Sequence, residues 1–268
     1  MMQHFIVIGN PINHSKSPQI HHAFADSIGA NIRYCRQFCP DDVASFRAVV
    51  EAFFHGGGTG ANITLPFKEI AFQLCQSLSE YAYTAKAVNT LIMQDGKLHG
   101  DNTDGQGLVA DLNTQGIDLK DKNIAIIGAG GATRGIILPL IEQGAKLTIF
   151  NRTLTKAETL QNDFKSLGKI TVHTLDTLAT GNLSFDVIIN ATSATTTGQT
   201  LSLSPNLCTQ FAYDMMYGKP SAFLNHFAKQ GVRTSDGYGM LINQAKIAFE
   251  LWTGAKINLD AVDLPINS

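Results

Sequence analysis

The sequence predicts an α/β protein built on a doubly wound parallel sheet, and three observations predict it. Ile124 to Ile127 is a short, largely β-branched apolar run, suited to a strand buried on both faces. Glycines follow at Gly128, Gly130, Gly131 and Gly135, and apolar residues then recur at helical spacing at Ile136, Ile137, Leu140 and Ile141. From about residue 123 to 235, strand-like and helix-like segments alternate.

A strand, a glycine-rich turn and a helix form the first unit of a dinucleotide-binding fold. Glycines let the backbone turn tightly and approach a pyrophosphate, which then meets the N–H groups at the helix start. The usual spacing asks for small residues at the first, third and sixth loop positions, and here the sixth is Thr133. The loop is therefore either such a cradle or a plain strand-to-helix turn. Leu147 to Phe150 reads as the next strand, followed by Asn151-Arg152-Thr153 where a dinucleotide fold selects its ribose. An acid there would accept from a 2′-hydroxyl and repel a 2′-phosphate. Arg152, with Lys156 beyond it, matches the phosphate, so the stretch predicts NADP over NAD. Thr155 and Glu158 fit a capping box for the following helix.

Further strands are predicted at Lys169 to Leu175, Phe185 to Ile189, Phe211 to Met215 and Gly231 to Thr234. Ligands bind outside the carboxyl ends of such strands, which puts Asn190, Thr192, Met215 and Tyr217 on the ligand side.

The chain has 268 residues, enough for one large domain or two medium ones. Apolar residues make up 44% and the net charge is −2, which excludes a disordered or nucleic-acid-coating protein. The apolar run Phe5 to Ile8 is too short for a signal-peptide core, and no stretch suits a membrane span, so a cytoplasmic protein is expected. Cys35, Cys39, Cys75 and Cys208 show neither Cys-x-x-Cys pairing nor zinc-ligand spacing, and read as reduced thiols with no metal.

In the first hundred residues, His4 to Ile8 reads as a strand. A turn-rich segment then runs to Pro18, with Ser17 as N-cap of a helix packed through Ile20, Ala23, Phe24 and Ile28. The Ser15 and Ser17 hydroxyls at this helix start could converge on a carboxylate; alternatively Ser17 only caps and Ser15 is solvated. Asn31 to Phe38 reads as a strand, and Asp42 to Phe54 as a helix packed through Val43, Phe46, Val50 and Phe53. Ala61 to Thr64 is a third strand, leading through Leu65-Pro66-Phe67 into a helix with Lys68 in its first turn. The positive dipole end disfavours a cation there, so Lys68 is either a working lysine or a solvated one. Ala87 to Met93 reads as a strand, Asp95-Gly96 as a hairpin turn, and Asp104 as the cap of a helix ending at Gly116. Near the C-terminus, Met240, Leu241, Ala245, Ala248, Phe249 and Trp252 mark an amphipathic helix stopped at Gly254. Gln244 among them is a core amide or a ligand contact.

Taken in order, several segments resemble the shikimate dehydrogenase family over essentially the whole chain. They are Gly9-Asn10-Pro11 with Ser15-Lys16-Ser17, Asn62-Ile63-Thr64-Leu65-Pro66-Phe67-Lys68, Ala87-Val88-Asn89-Thr90, and Asn102-Thr103-Asp104-Gly105. Further along come Gly128-Ala129-Gly130-Gly131-Ala132, Asn151-Arg152-Thr153, Asn190-Ala191-Thr192-Ser193, and Asp236-Gly237 through Gln244. The family's glycine loop also accounts for Thr133. The resemblance implies two α/β domains with the cleft between them. The substrate domain would span residues 1–101 plus 237–268, and a Rossmann-type NADP domain residues 102–236.

The implied reaction is reversible reduction of 3-dehydroshikimate to shikimate by NADPH, in aromatic amino-acid biosynthesis. Ser15 and Ser17 would hold the substrate carboxylate. Thr64, Asn89, Asp104, Tyr217 and Gln244 would bond the ring hydroxyls and keto oxygen. Lys68, paired with Asp104, would be the general acid/base. Gly128, Ala129, Gly130, Gly131 and Ala132 would cradle the pyrophosphate. Asn151, Arg152, Thr153 and Lys156 would hold the 2′-phosphate end, Met215 and Gly237 would flank the nicotinamide, and Glu80 would be a cofactor-side contact. The expected partner is the small-molecule substrate, with no nucleic acid or membrane, and the protein a monomer or homodimer. The alternatives are a quinate/shikimate dehydrogenase paralogue and a non-catalytic shikimate-binding sensor.

Overall fold

The structure, a computed structural model, describes residues 2–194 and 200–265. It has two compact units, one formed by the chain up to Gly107 with the segment from Ile242 onward, the other by Leu108–Leu241.

In the first unit the strands are β1 (Gln3–Gly9), β2 (Ile32–Phe38), β3 (Gly60–Ile63), β4 (Ser77–Leu78), β5 (Thr90–Gln94) and β6 (Lys97–Asp101). The helices are α1 (Ser17–Ser27), α2 (Val43–His55), α3 (Lys68–Leu74), α4 (Glu80–Ala85) and the start of α5 (Asp104–Thr114). The sheet order is β2-β1-β3-β5-β6-β4. β1 pairs in parallel with β2 and β3, and β5 runs antiparallel to β3 and β6. Asp95 and Gly96 both have positive φ, which a two-residue hairpin of this kind requires.

Alternation along β1 builds two cores. Ile6 and Ile8 face Phe46, Val50, Phe67 and Leu91, while Phe5 and Val7 face Tyr34, Ala248 and Trp252. Ala248 and Trp252 come from the long C-terminal helix, Tyr238–Thr253.

His21 of α1 is fully buried in the second of these clusters. Its ring stacks on Tyr34 at 4.4 Å and is sealed from solvent. Burial lowers the imidazole from its ordinary value to about 3. Between that value and about 6.5 the unfolded chain binds a proton that the folded chain refuses, so stability falls as pH drops through this window. The slope attributable to His21 reaches about 1.4 kcal/mol per pH unit. Urea unfolding at a series of pH values should show a flatter acid slope for His21→Phe than for the parent. Equal slopes would mean that His21 does not set this dependence.

The second unit contains β7 (Asn123–Ile127), α6 (Gly131–Glu142), β8 (Lys146–Asn151), α7 (Leu154–Phe164) and β9 (Ile170–Thr174). Then come α8 (Asp176–Thr180), β10 (Ser184–Asn190), β11 (Cys208–Asp214), α9 (Ala222–Ala228) and β12 (Arg233–Asp236). All six strands are parallel, in the order β12-β11-β10-β7-β8-β9. The chain winds outward from β7 through β8 to β9, then returns to the other side of β7 with β10. The carboxyl ends of β7 and β10 therefore lie side by side at the switch point, where a doubly wound sheet binds its ligand.

Several local expectations are corrected. The strand predicted from Ala87 begins at Thr90, because the Val88 and Asn89 N–H groups bond the Lys68 and Asp101 carbonyls, 2.9 and 3.0 Å away. Helix α7 starts at Leu154, with no side-chain cap from Thr153. Thr155 therefore lies within the first turn and the Thr155–Glu158 capping box does not form. Val43 is 51% exposed, leaving Phe46 and Val50 as the buried residues of α2. Ser17 and Asp104 are the first residues of α1 and α5 and not their caps, and Ile28 lies just beyond α1, exposed. Among the described residues no helix is long and apolar enough to cross a membrane.

Candidate active site

In the first unit the chain brings together residues far apart in sequence. After β3, Thr64 to Phe67 turn back, with the Phe67 N–H on the Thr64 carbonyl at 3.0 Å. Phe67 is fully buried against Phe46, ring centroids 4.7 Å apart, and this anchor fixes the start of α3. Lys68 thus emerges beside the start of α5, where Asn102 Oδ1 accepts the Asp104 N–H at 3.2 Å. Lys68 Nζ donates to Asp104 Oδ2 at 2.5 Å, and the side chains are 29% and 16% exposed.

Asn89 Nδ2 donates to the other carboxylate oxygen at 2.9 Å and lies 3.4 Å from Gln244 Oε1. The Thr103 N–H donates to Asn89 Oδ1 at 2.9 Å. Lys68, Asn89, Asp104 and Gln244 therefore form one group. A partly exposed ion pair contributes only about 0–1 kcal/mol to stability. The surrounding hydrogen bonds therefore fix the geometry of the pair more than they add stability. A protonated amine with a fixed carboxylate and access to water can give up and recover a proton.

The two serines are also held together. Lys16 precedes α1 without a side-chain cap. Ser15 Oγ instead accepts the Ser17 N–H at 3.3 Å and donates to Ser17 Oγ at 3.2 Å. Arg36 grips the Ser15 carbonyl through Nε and Nη2, at 2.9 and 2.5 Å. Two hydroxyls at the positive end of an eleven-residue helix suit a carboxylate. No direct hydrogen bond joins them to Lys68 among the described residues. Thr64 follows β3, its N–H on the Ile8 carbonyl at 3.0 Å, and its methyl fills the space where a Cβ on Gly9 would lie. Glu80 is exposed at the start of α4, which Ser79 caps, and it belongs to this unit.

The second unit carries the glycine loop. Gly128 has φ +110°, a conformation that favours glycine, and an added Cβ would stand 3.0 Å from the Thr192 methyl. Its N–H bonds the Phe150 carbonyl at 2.8 Å, and the buried Thr133 hydroxyl donates to its carbonyl at 2.9 Å. The atypical sixth residue thus ties the loop down from beneath. Above it, a Cβ added at Gly130 or Gly131 would meet nothing within 4 Å, and both residues are exposed with Ala132, next to the half-buried Ala129. At the neighbouring end of β10, Asn190 is fully buried. Its Oδ1 accepts from Thr192, while its Nδ2 has no hydrogen-bond partner among the described residues.

Asn151 Nδ2 donates to the Thr153 carbonyl at 2.8 Å, shaping the turn that presents Arg152. Arg152, Thr153 and Lys156 are exposed, and no carboxylate pairs with either cation among the described residues. Open space over the glycines, a helix N-terminus and two uncommitted cations fit a dinucleotide bearing a 2′-phosphate. Met215, Tyr217 and Gly237 also belong to this unit. The Met215 carbonyl leaves no room for a Cβ on Gly237, and burial raises the Tyr217 phenol above its ordinary value.

Three family profiles match the chain in sequence order. The shikimate dehydrogenase substrate binding domain covers residues 7–91, shikimate/quinate 5-dehydrogenase residues 109–202, and the shikimate 5′-dehydrogenase C-terminal domain residues 237–263. The chain belongs to the shikimate dehydrogenase family. It is 55% identical over 276 residues to a shikimate dehydrogenase (NADP(+)) of Psychrobacter cryohalolentis, covering 97% of this chain and 96% of that protein. Among solved structures, an Ael1 enzyme from Pseudomonas putida superposes with a TM-score of 0.90 at 37% identity, covering 97% and 96% of the two chains. The shikimate 5-dehydrogenase of Thermus thermophilus, solved with NADP(H) and shikimate, gives 0.85 at 29%, covering 97% of each chain.

Arg36, Asn62 and Thr90 hold these candidate residues in place, and no sequence motif assigns them a role. Arg36 lies in an edge strand with no motif around it. Asn62 and Thr90 stood inside recognised segments but carried no assigned role. The structure shows Asn62 as a polar residue in a four-residue strand buried throughout.

Proposed function

We propose that this shikimate dehydrogenase interconverts 3-dehydroshikimate and shikimate with NADPH and NADP, with Lys68 as the proton donor and acceptor. The observation that carries the residue assignment is the 2.5 Å contact between Lys68 Nζ and Asp104, partly open to solvent and braced by Asn89. NADP would lie on Gly128 to Ala132, with Asn151, Arg152, Thr153 and Lys156 at its 2′-phosphate. When bound, the reduced nicotinamide supplies hydride to the substrate carbonyl carbon.

The remaining chemistry belongs to the chain. Ser15 and Ser17 bind the substrate carboxylate and set which way the ring points. Thr64, Asn89 and Gln244 offer hydrogen bonds to its oxygens. The Lys68 ammonium gives one proton to the carbonyl oxygen as negative charge develops there, forming the hydroxyl. Asp104 Oδ2 keeps the amine aimed throughout, and the neutral amine recovers a proton from water through its exposed side. In the oxidative direction the neutral amine takes the hydroxyl proton.

Substrate choice is tested in that direction, with NADP and either shikimate or quinate. Turnover of shikimate with quinate at least about a hundredfold slower is expected, since a site built around particular ring oxygens penalises a rearranged polyol. Comparable rates would place the protein with the quinate/shikimate paralogues.

A further inference from the structure

Behind Asn89 a row of buried polar side chains runs back to β2. The Tyr34 hydroxyl donates to Asn62 Oδ1 at 2.7 Å. Asn62 Nδ2 donates to Thr90 Oγ1 and to the Asn89 carbonyl, each at 3.2 Å. The Thr90 hydroxyl donates to Asn89 Oδ1 at 2.8 Å, and Asn89 Nδ2 donates to Asp104. Tyr34, Asn62, Asn89 and Thr90 are all buried, Asn62 the least so at 6% exposed.

The direction of every link is fixed. The Thr103 backbone N–H can only donate, so the Asn89 atom facing it is its oxygen, which turns the Asn89 nitrogen toward the carboxylate. Thr90 has one proton and gives it to Asn89, so its oxygen must accept from Asn62 Nδ2. The Asn89 backbone carbonyl beside the same nitrogen only accepts and requires the same orientation. Asn62 Oδ1 is then left for Tyr34. Each group donates toward Asp104, and each bond polarises the next.

Packing alone does not need these residues. Valine and leucine have nearly the shapes of threonine and asparagine, and buried polar groups cost stability unless all are satisfied. We propose that Asn62 and Thr90 are positioning residues for the proton transfer at Lys68. Their chain of donors holds the Asn89 amide on one Asp104 oxygen and leaves the other for the amine. Neither residue touches Lys68; both act through Asn89 and Asp104. The inference rests on the reading of Lys68 and Asp104 as the proton-transfer pair.

The test compares the parent with Thr90→Val, Thr90→Ser, Tyr34→Phe and Lys68→Ala in steady-state kinetics across pH. Thr90→Val should lower kcat roughly tenfold with KM changed less than about twofold. It should also shift the pH–rate profile, since the reacting pair has lost part of its hydrogen-bonded support. Thr90→Ser should restore both kcat and profile. Tyr34→Phe, which removes one hydroxyl at the far end, should shift both in the same direction by less. A normal profile and kcat in Thr90→Val, or a loss that Thr90→Ser fails to restore, would overturn the inference while leaving the Lys68 assignment intact. Should Thr90→Val fail to fold, an unshifted profile in folded Tyr34→Phe overturns it equally. Parent-like activity in Lys68→Ala would overturn the underlying reading itself.

Discussion

Lys68→Ala is expected to lower kcat by about 10²- to 10⁴-fold with a milder change in KM. The effect is large because the developing oxyanion loses its proton donor and its nearest positive charge together. Lys68→Arg separates the two contributions. Arginine keeps the charge and can still pair with Asp104, but it does not release a proton in the working pH range. It should therefore remain severely impaired in kcat. A Lys68→Arg variant close to the parent would make Lys68 an electrostatic group and not a proton donor. The protein should remain folded in either case, because the Lys68–Asp104 pair is partly exposed and stabilises by little.

Arg152→Ala is expected to weaken NADPH binding by roughly 10- to 100-fold, the effect of losing one charged hydrogen-bonding partner. NADH binding should change by less than about twofold, since it offers the guanidinium no 2′-phosphate. Arg152 is exposed on a turn shaped by the Asn151–Thr153 hydrogen bond, and among the described residues it has no carboxylate to release. The loss should therefore appear in cofactor affinity and leave stability unchanged. Equal weakening of both cofactors, read by fluorescence titration, would remove the phosphate contact from the account.

What the sequence made legible divides along physical lines. The β7–loop–α6 unit could be read because its determinants are local: a buried strand, glycines where the backbone must turn, and helical spacing after them. Even the anomaly at Thr133 was visible, although its hydrogen bond to the Gly128 carbonyl was not. Lys68 and Asp104 could be picked out separately, but thirty-six residues separate them and only the fold shows them in contact. Ser17 was misread as a cap because serine before proline is the usual signal for one. Here the accepting hydroxyl is that of Ser15, whose carbonyl is held by Arg36 of β2. The row from Tyr34 to Asn89 left the weakest trace. Its hydrogen bonds join β2, β3 and β5, and no spacing rule connects side chains across a sheet from strands that are distant in sequence.

The most direct test of the central claim is NADPH oxidation with 3-dehydroshikimate as substrate, run beside NADH and beside Lys68→Ala. The account predicts turnover with NADPH, much poorer turnover with NADH, and near-loss of turnover in the variant. Shikimate binding without turnover in the parent, or turnover that survives the loss of Lys68, would contradict it.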